Sequence, residues 1–177
     1  QRIEAAWTGR GALAWALWPL SWLYRAAVAL RRAAYSAGLL RSEHLEVPVL
    51  IVGNFVAGGA GKTPAVLAVA DLLRRRGWTP GIVSRGHGGT AGGVLEVTPD
   101  TPARLCGDEP LLLRRRSSAP VAVGRDRVAA ARELLRRHPE VDIMIADDGL
   151  QHLRLARDAQ LIVFDERPDR GWDVSPA

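Results

Sequence analysis

One cysteine, one methionine and a single lysine are all that the 177 residues contain of those types. Cys106 has no partner with which to close an internal disulfide, which excludes a cross-linked secreted scaffold and suits a reducing compartment. It reads as a small buried hydrophobe rather than as a nucleophile. No short apolar run is followed by a small-residue cleavage site and a polar mature start, so no secretory signal is read. The chain opens on Gln1 rather than methionine, and a start further upstream is expected. Internal repeats and low-complexity linkers are also missing. The apolar fraction is 47%, which excludes wholesale disorder and leaves room for one ordinary domain plus a short appendage.

Acidic charge is scarce at one end. Residues 1–45 carry Arg2, Arg10, Arg25, Arg31, Arg32 and Arg41 against only Glu4 and Glu43, so this leader holds most of the net charge of +5. A nucleic-acid binder usually spreads its basic residues over the folded domain, with aromatic platforms among them. Here the charge sits on an apolar leader, which points to a membrane surface and away from nucleic acid.

Residues 11–30, GALAWALWPLSWLYRAAVAL, place Trp15, Trp18 and Trp22 at helical spacing on one stripe. Tryptophan and arginine together suit the membrane–water interface, where rings sit at headgroup depth and guanidinium groups reach water. Pro19 is expected to divide the segment into two helical pieces, with Gly38 near the end of the second. Three placements remain open: attachment at the interface, packing on the chain's own domain, or a full span. The run is borderline for a span, which needs roughly 20 apolar residues.

From Val47 onward strands and helices alternate. Strands are predicted at Val47–Gly53, Gly81–Ser84, Val94–Val97, Val121–Val123, Val141–Ala146 and Leu161–Phe164. Helices are predicted at Pro64–Arg76, Glu109–Arg116 and Arg125–Arg137, with a mobile loop over Arg85–Gly93. That alternation implies an α/β domain over residues 46–177, a mostly parallel sheet flanked by helices with ligands at the carboxyl ends of its strands. An N-terminal membrane-associated helical segment, residues 1–45, precedes it.

The strongest motif is Val56-Ala-Gly-Gly-Ala-Gly-Lys-Thr63, between a strand and a helix. Against the phosphate-loop pattern G-x-x-x-x-G-K-[ST], Val56 replaces the first glycine, while Gly61-Lys62-Thr63 is intact. Gly58, Gly59, Ala60 and Gly61 would turn backbone N–H groups toward phosphate, with Pro64 inside the helix start, whose dipole is positive. Lys62 would reach the β- and γ-phosphates of ATP, and the Thr63 hydroxyl would ligate Mg²⁺. In a Lys+Arg total of 24, every residue but Lys62 is arginine; lysine is kept where a compact, flexible ammonium is needed. The domain is therefore read as P-loop NTPase-like.

Val141-Asp-Ile-Met-Ile-Ala146 runs into Asp147-Asp148-Gly149, supplying carboxylates at a strand end for Mg²⁺ or its waters; a plain polar turn is the alternative. Asp108 and Glu109 form a second acidic pair at a predicted helix start. There, favourable interaction with the helix dipole competes with a base and a metal-shell ligand. Gln151 and His152 follow closely and are either structural or part of the site. His87, in the Gly86–Gly89 loop, would contact phosphate or substrate, unless glycine-rich mobility alone accounts for the loop. Arg125 and Arg127 would neutralise a phosphate, or else mark a solvated helix start.

Together these motifs resemble one family, the tetraacyldisaccharide 4'-kinases of lipid A biosynthesis. The resemblance rests on Val52-Gly-Asn54 leading into Gly58–Pro64, Ser84-Arg-Gly-His-Gly-Gly89, Gly107-Asp-Glu-Pro110, Gly124-Arg-Asp-Arg127 and Asp147-Asp-Gly-Leu-Gln-His152, in that order, over residues 15–165. It implies transfer of the ATP γ-phosphoryl to the 4'-hydroxyl of an acylated glucosamine disaccharide 1-phosphate, giving lipid IVA. The setting would be the cytoplasmic face of the inner membrane, with the leader attached peripherally. It further implies that Lys62 and Thr63 bind phosphate and Mg²⁺ and that Asp108 is the catalytic carboxylate. Glu109, Asp147 and Asp148 would organise metal and nucleotide, and Gln151 and His152 would line the reaction centre. No protein partner is evident. After Asp165 the family continues into a second lobe, carrying a catalytic histidine, that this chain lacks; it reads as truncated. The competing readings are a membrane-bound nucleotide-binding fragment without catalysis and a P-loop enzyme for a soluble substrate.

Overall fold

The computed structural model describes residues 22, 25–31, 33–35, 37–54, 61–150 and 152–164. The chain divides into two compact units, residues 1–42 and 43–177. In the first, residues 25–31 and 33–35 are helical. The helix stops at Gly38, whose φ of 72° is the left-handed conformation that glycine adopts freely. There, N–H groups of Ala37, Gly38 and Leu40 close back onto Ala33, Tyr35 and Ala34 carbonyls. The Arg25 guanidinium sits 5.6 Å from the Trp22 ring centroid, a cation–π distance. Among the described residues no helix is long and apolar enough to cross a membrane; Trp15, Trp18 and Pro19 lie outside them.

The second unit runs β1 (Val49–Asn54), α1 (Lys62–Arg75), β2 (Pro80–Ser84), β3 (Leu95–Val97), α2 (Ala103–Cys106), α3 (Asp108–Ser117), β4 (Val121–Val123), α4 (Arg127–Arg137), β5 (Ile143–Asp147) and β6 (Ala159–Val163). The strands form one six-stranded sheet in the order β3-β4-β2-β5-β1-β6. All its pairings are parallel except β3 with β4 at the edge. This is the mostly parallel, helix-flanked α/β sheet expected from the alternation.

Strands β2, β4 and β5 are buried on both faces, which is why they read as continuous apolar runs. Successive side chains point to opposite sides, so Val83 and Ala146 join one core with Val128, Ala131 and Leu134 of α4. Their neighbours Ile82 and Ile145 join the other, with Val66 and Ala70 of α1 and Leu111 and Leu113 of α3. Each buried aliphatic side chain stabilises the fold by roughly 1.5–3 kcal/mol. Cys106 is wholly buried, as a small core hydrophobe would be, and burial pushes its thiol up.

Element limits differ from the expectations in instructive ways. Helix α1 begins at Lys62 rather than Pro64, so Lys62 and Thr63 belong to its first turn. Asp126 accepts bonds from the N–H groups of Val128 and Ala129, which starts α4 at Arg127 and leaves Arg125 outside it. The four-residue helix α2 had no sequence signal.

Candidate active site

The parallel strands end together, so the segments leaving β1, β2, β4 and β5 gather at one edge of the sheet. Gly61, at φ 74°, turns the chain into α1. Gly58, Gly59 and Ala60 lie outside the described residues. The Lys62 ammonium reaches Asp148, Nζ to Oδ1 3.0 Å. Asp148 itself is held at a positive φ of 55°, a conformation costing an ordinary residue about 1–2 kcal/mol. Its N–H donates to the Val52 carbonyl at 2.9 Å, which fixes it beside β1. Gly53 is needed there: a Cβ would lie 2.5 Å from Leu150 Cγ, so only glycine lets Leu150 close against the end of β1.

Asp147 ends β5 opposite Val52 and is 4% exposed. The Ser84 hydroxyl, at the end of β2, donates to its Oδ2 at 2.9 Å. Burial pushes the Asp147 carboxyl up, and the Ser84 bond opposes this. The charges of Glu109 and Asp148 reinforce the rise, while Lys62 works against it. Asp147, Asp148, Lys62 and Glu109 therefore share one electrostatic site. Asp108 and Glu109 are exposed in the first turn of α3. The turn before them is pressed against the loop after β2: Gly107, at φ 90°, has the His87 carbonyl where a Cβ would go.

That loop forms one wall of a cavity of about 210 Å³, lined by Arg85, His87, Gly89, Leu105, Gly124 and Arg125 among others. Arg85, His87 and Arg125 are exposed and give it a basic rim. Arg127 does not line it. It is 2% exposed, and its Nη1 donates to the Gly124 carbonyl at 2.8 Å. Nε and Nη2 have no partner. Burial and the like charge of Arg85 lower its proton affinity, while Asp147 and Asp148 oppose them. His152 follows the Asp147-Asp148 turn and is half-buried, its N–H closing onto Gly149 at 3.0 Å; Gln151 lies outside the described residues.

A lysine in the first turn of a helix that follows a parallel strand, facing paired carboxylates at the end of the adjacent strand, is a phosphate-binding arrangement. A sequence model of the Tetraacyldisaccharide-1-P 4'-kinase family matches residues 13–176. The chain belongs to that family.

Relatives named tetraacyldisaccharide 4'-kinase include one from Methylibium petroleiphilum, 60% identical over 96% of this chain and 48% of the relative. Another, from Leptothrix cholodnii, is 58% identical over 97% of this chain and 49% of its own length. The chain thus spans about half the length of the curated relatives it matches. Among solved structures, LpxK from Aquifex aeolicus, crystallised in complex with ATP, superposes with a TM-score of 0.77 at 34% identity. It covers 85% of this chain and 48% of that one.

Within this kinase-family frame, the structure adds residues that the motifs did not single out as site residues. Ser84 was read only as part of a motif, yet its hydroxyl holds buried Asp147. Arg157 and Asp158 carried no recognisable motif. Asp158 accepts the Val49 N–H at 2.8 Å, and Arg157 donates to the carbonyls of Leu150 and His152. A signal existed for Ser84: a small hydroxyl residue closing an otherwise apolar strand.

Proposed function

We propose that this chain is the nucleotide-binding half of an ATP-dependent kinase that phosphorylates the 4'-hydroxyl of a tetraacyldisaccharide 1-phosphate, giving lipid IVA. The observation that carries the proposal is the Lys62–Asp148 pair at the start of α1, with buried Asp147 beside it. It occurs in a chain 60% identical to a relative of that name.

In this reading Gly58–Pro64 cradles the ATP phosphates and Lys62 leaves Asp148 to meet them. Asp108 takes the proton of the 4'-hydroxyl as its oxygen bonds to the γ-phosphorus and the bond to the β-phosphate oxygen breaks, releasing ADP. Thr63, Asp147 and Glu109 would hold Mg²⁺. The fit is chemical: a buried carboxylate flanked by further carboxylates and bonded to a neutral hydroxyl is stabilised by a divalent cation. Mg²⁺ takes one or two carboxylates with waters and substrate phosphates, so no cluster of three protein ligands is required. When bound, the ion neutralises charge on the phosphates.

The basic cavity of Arg85, His87 and Arg125 suits the phosphorylated sugar of the acceptor, with Arg127 supporting it from below and Gln151 and His152 at the reaction centre. The leader, with its Trp22–Arg25 stack, would attach the enzyme peripherally to the cytoplasmic face of the inner membrane, where a four-chain acceptor is embedded.

The test is transfer of labelled phosphate from ATP to tetraacyldisaccharide 1-phosphate in detergent micelles, alongside ATP binding, for the natural sequence and Lys62→Ala. Lys62-dependent product supports the kinase. ATP binding without product would show a nucleotide-binding module whose chemistry needs further residues. Loss of neither binding nor product in Lys62→Ala would overturn the site.

A further inference from the structure

We propose that Arg157 is a positioning residue that clamps the turn carrying Gln151 and His152, an inference that rests on the kinase reading of this site. The segment 148–158 connects β5 to β6 and is tied to β1 at both ends: the Asp148 N–H donates to Val52 O at 2.9 Å and the Asp158 N–H to Val49 O at 3.0 Å. The Asp158 carboxylate returns to the Val49 N–H at 2.8 Å. Both ends of this loop are therefore fixed to the strand that launches the phosphate loop. Its middle is a short turn closed by His152 N–H on Gly149 O at 3.0 Å.

Arg157 spans that loop from its anchored end. Nη1 donates to the Leu150 carbonyl and Nη2 to the His152 carbonyl, both at 3.3 Å. One planar guanidinium therefore grips the backbone at two points, Leu150 and His152. Two parallel donors in a fixed fork suit this, and a single ammonium would not. Among the described residues no carboxylate pairs with Arg157, and burial alone lowers its proton affinity. A half-buried cation left to two peptide carbonyls makes poor use of its charge for stability. Its geometry instead holds the turn. The Leu150 side chain meanwhile closes against Gly53, so the gripped turn also abuts the end of β1. The sequence neighbour Arg154 does something different: it pairs with Glu43 and Asp126 on the exposed surface.

The experiment is amide hydrogen exchange over peptides 149–153 and β5, with ATP binding measured in parallel, for the natural sequence, Arg157→Ala, Arg157→Lys and Lys62→Ala. Losing two hydrogen bonds from a charged donor is expected to speed exchange of the His152 amide at least about tenfold in Arg157→Ala, leaving β5 protected. Added millimolar guanidinium should restore slow exchange, which a purely structural defect would not allow. Arg157→Lys, serving one carbonyl at a time, should fall between. Lys62→Ala should bind ATP more weakly and keep the turn protected. Unchanged exchange in a folded Arg157→Ala, equal acceleration across all peptides, or no repair by guanidinium would overturn the clamp. A natural sequence that fails to bind ATP would remove the kinase reading, while the exchange of the turn would still judge Arg157.

Discussion

Lys62 and Asp148 stand 86 positions apart in number, yet Nζ and Oδ1 lie 3.0 Å apart, because β1 and β5 are adjacent and in register. The pair is partly solvated, with the lysine side chain 21% and the aspartate 54% exposed. It is therefore a weak contributor to stability and easily exchanged for a phosphate. Lys62→Ala should weaken ATP binding by roughly tenfold to a hundredfold, the loss of a charged hydrogen-bond donor, while changing the thermal midpoint little. Calorimetric titration checks the first, and thermal unfolding the second.

Ser84→Ala acts one step further in. The hydroxyl donates to Asp147 Oδ2 at 2.9 Å inside the protein, and without it a buried carboxylate oxygen loses its protein partner. The expected cost is about 1–3 kcal/mol of unfolding free energy, read from urea denaturation. A loss within error of zero would mean that water replaces the hydroxyl, and that Ser84 does not hold Asp147.

How much of this was legible follows from distance along the chain. Lys62 and Thr63 were readable because their function lies in consecutive residues between a strand and a helix. Asp147 was readable because a β-branched run delivers it. Ser84 against Asp147 was not, since it requires knowing that β2 lies beside β5. Arg127 looked like a residue that meets substrate because it sits in a basic tripeptide. Only the Asp126 cap and the start of α4 turn it inward beneath Gly124. Arg157 gave no sign, because its partners are main-chain carbonyls and any sequence offers those. The tryptophan stripe at Trp15 and Trp18 and the phosphate-loop glycines Gly58 and Gly59 lie outside the described residues.

Asp108→Asn separates binding from chemistry. The exposed first turn of α3 tolerates asparagine, which still suits a helix start, so fold and ATP affinity should be kept within about twofold; on the kinase reading proposed above, phosphoryl transfer by the full-length protein should fall by about 10²–10⁴, the worth of a positioned base. Turnover by the asparagine variant close to that of the natural sequence would leave Asp108 a dipole partner of the helix and nothing more.

A pH-dependent clip lies at the end of α4 opposite Arg127. His138, just after α4, meets Glu96 of β3 through Nε2 at 2.8 Å and Glu140 through Nδ1 at 3.1 Å. Arg137 also contacts Glu96 and is shared with Glu133, so the histidine faces carboxylates from both sides and a guanidinium across Glu96. The Glu96 bond is the main reason that His138 holds its proton above its ordinary 6.5. The same bond is the main reason that Glu96 stays ionised below its ordinary 4.5. A raised histidine contributes stability that is full below 6.5 and lost as pH climbs through its folded value; a lowered glutamate contributes stability that is full above 4.5 and lost as pH falls. The clip is therefore strongest between those two values and fades on either side, below as Glu96 takes up its proton and above as His138 loses its own. His138→Gln should cost about 0.2–1 kcal/mol at pH 5.5 and less at pH 8.5, measured as the difference in urea unfolding free energy from the natural sequence at each pH. An equal cost at both would mean that the charge on His138 contributes nothing to fastening the antiparallel edge strand onto α4.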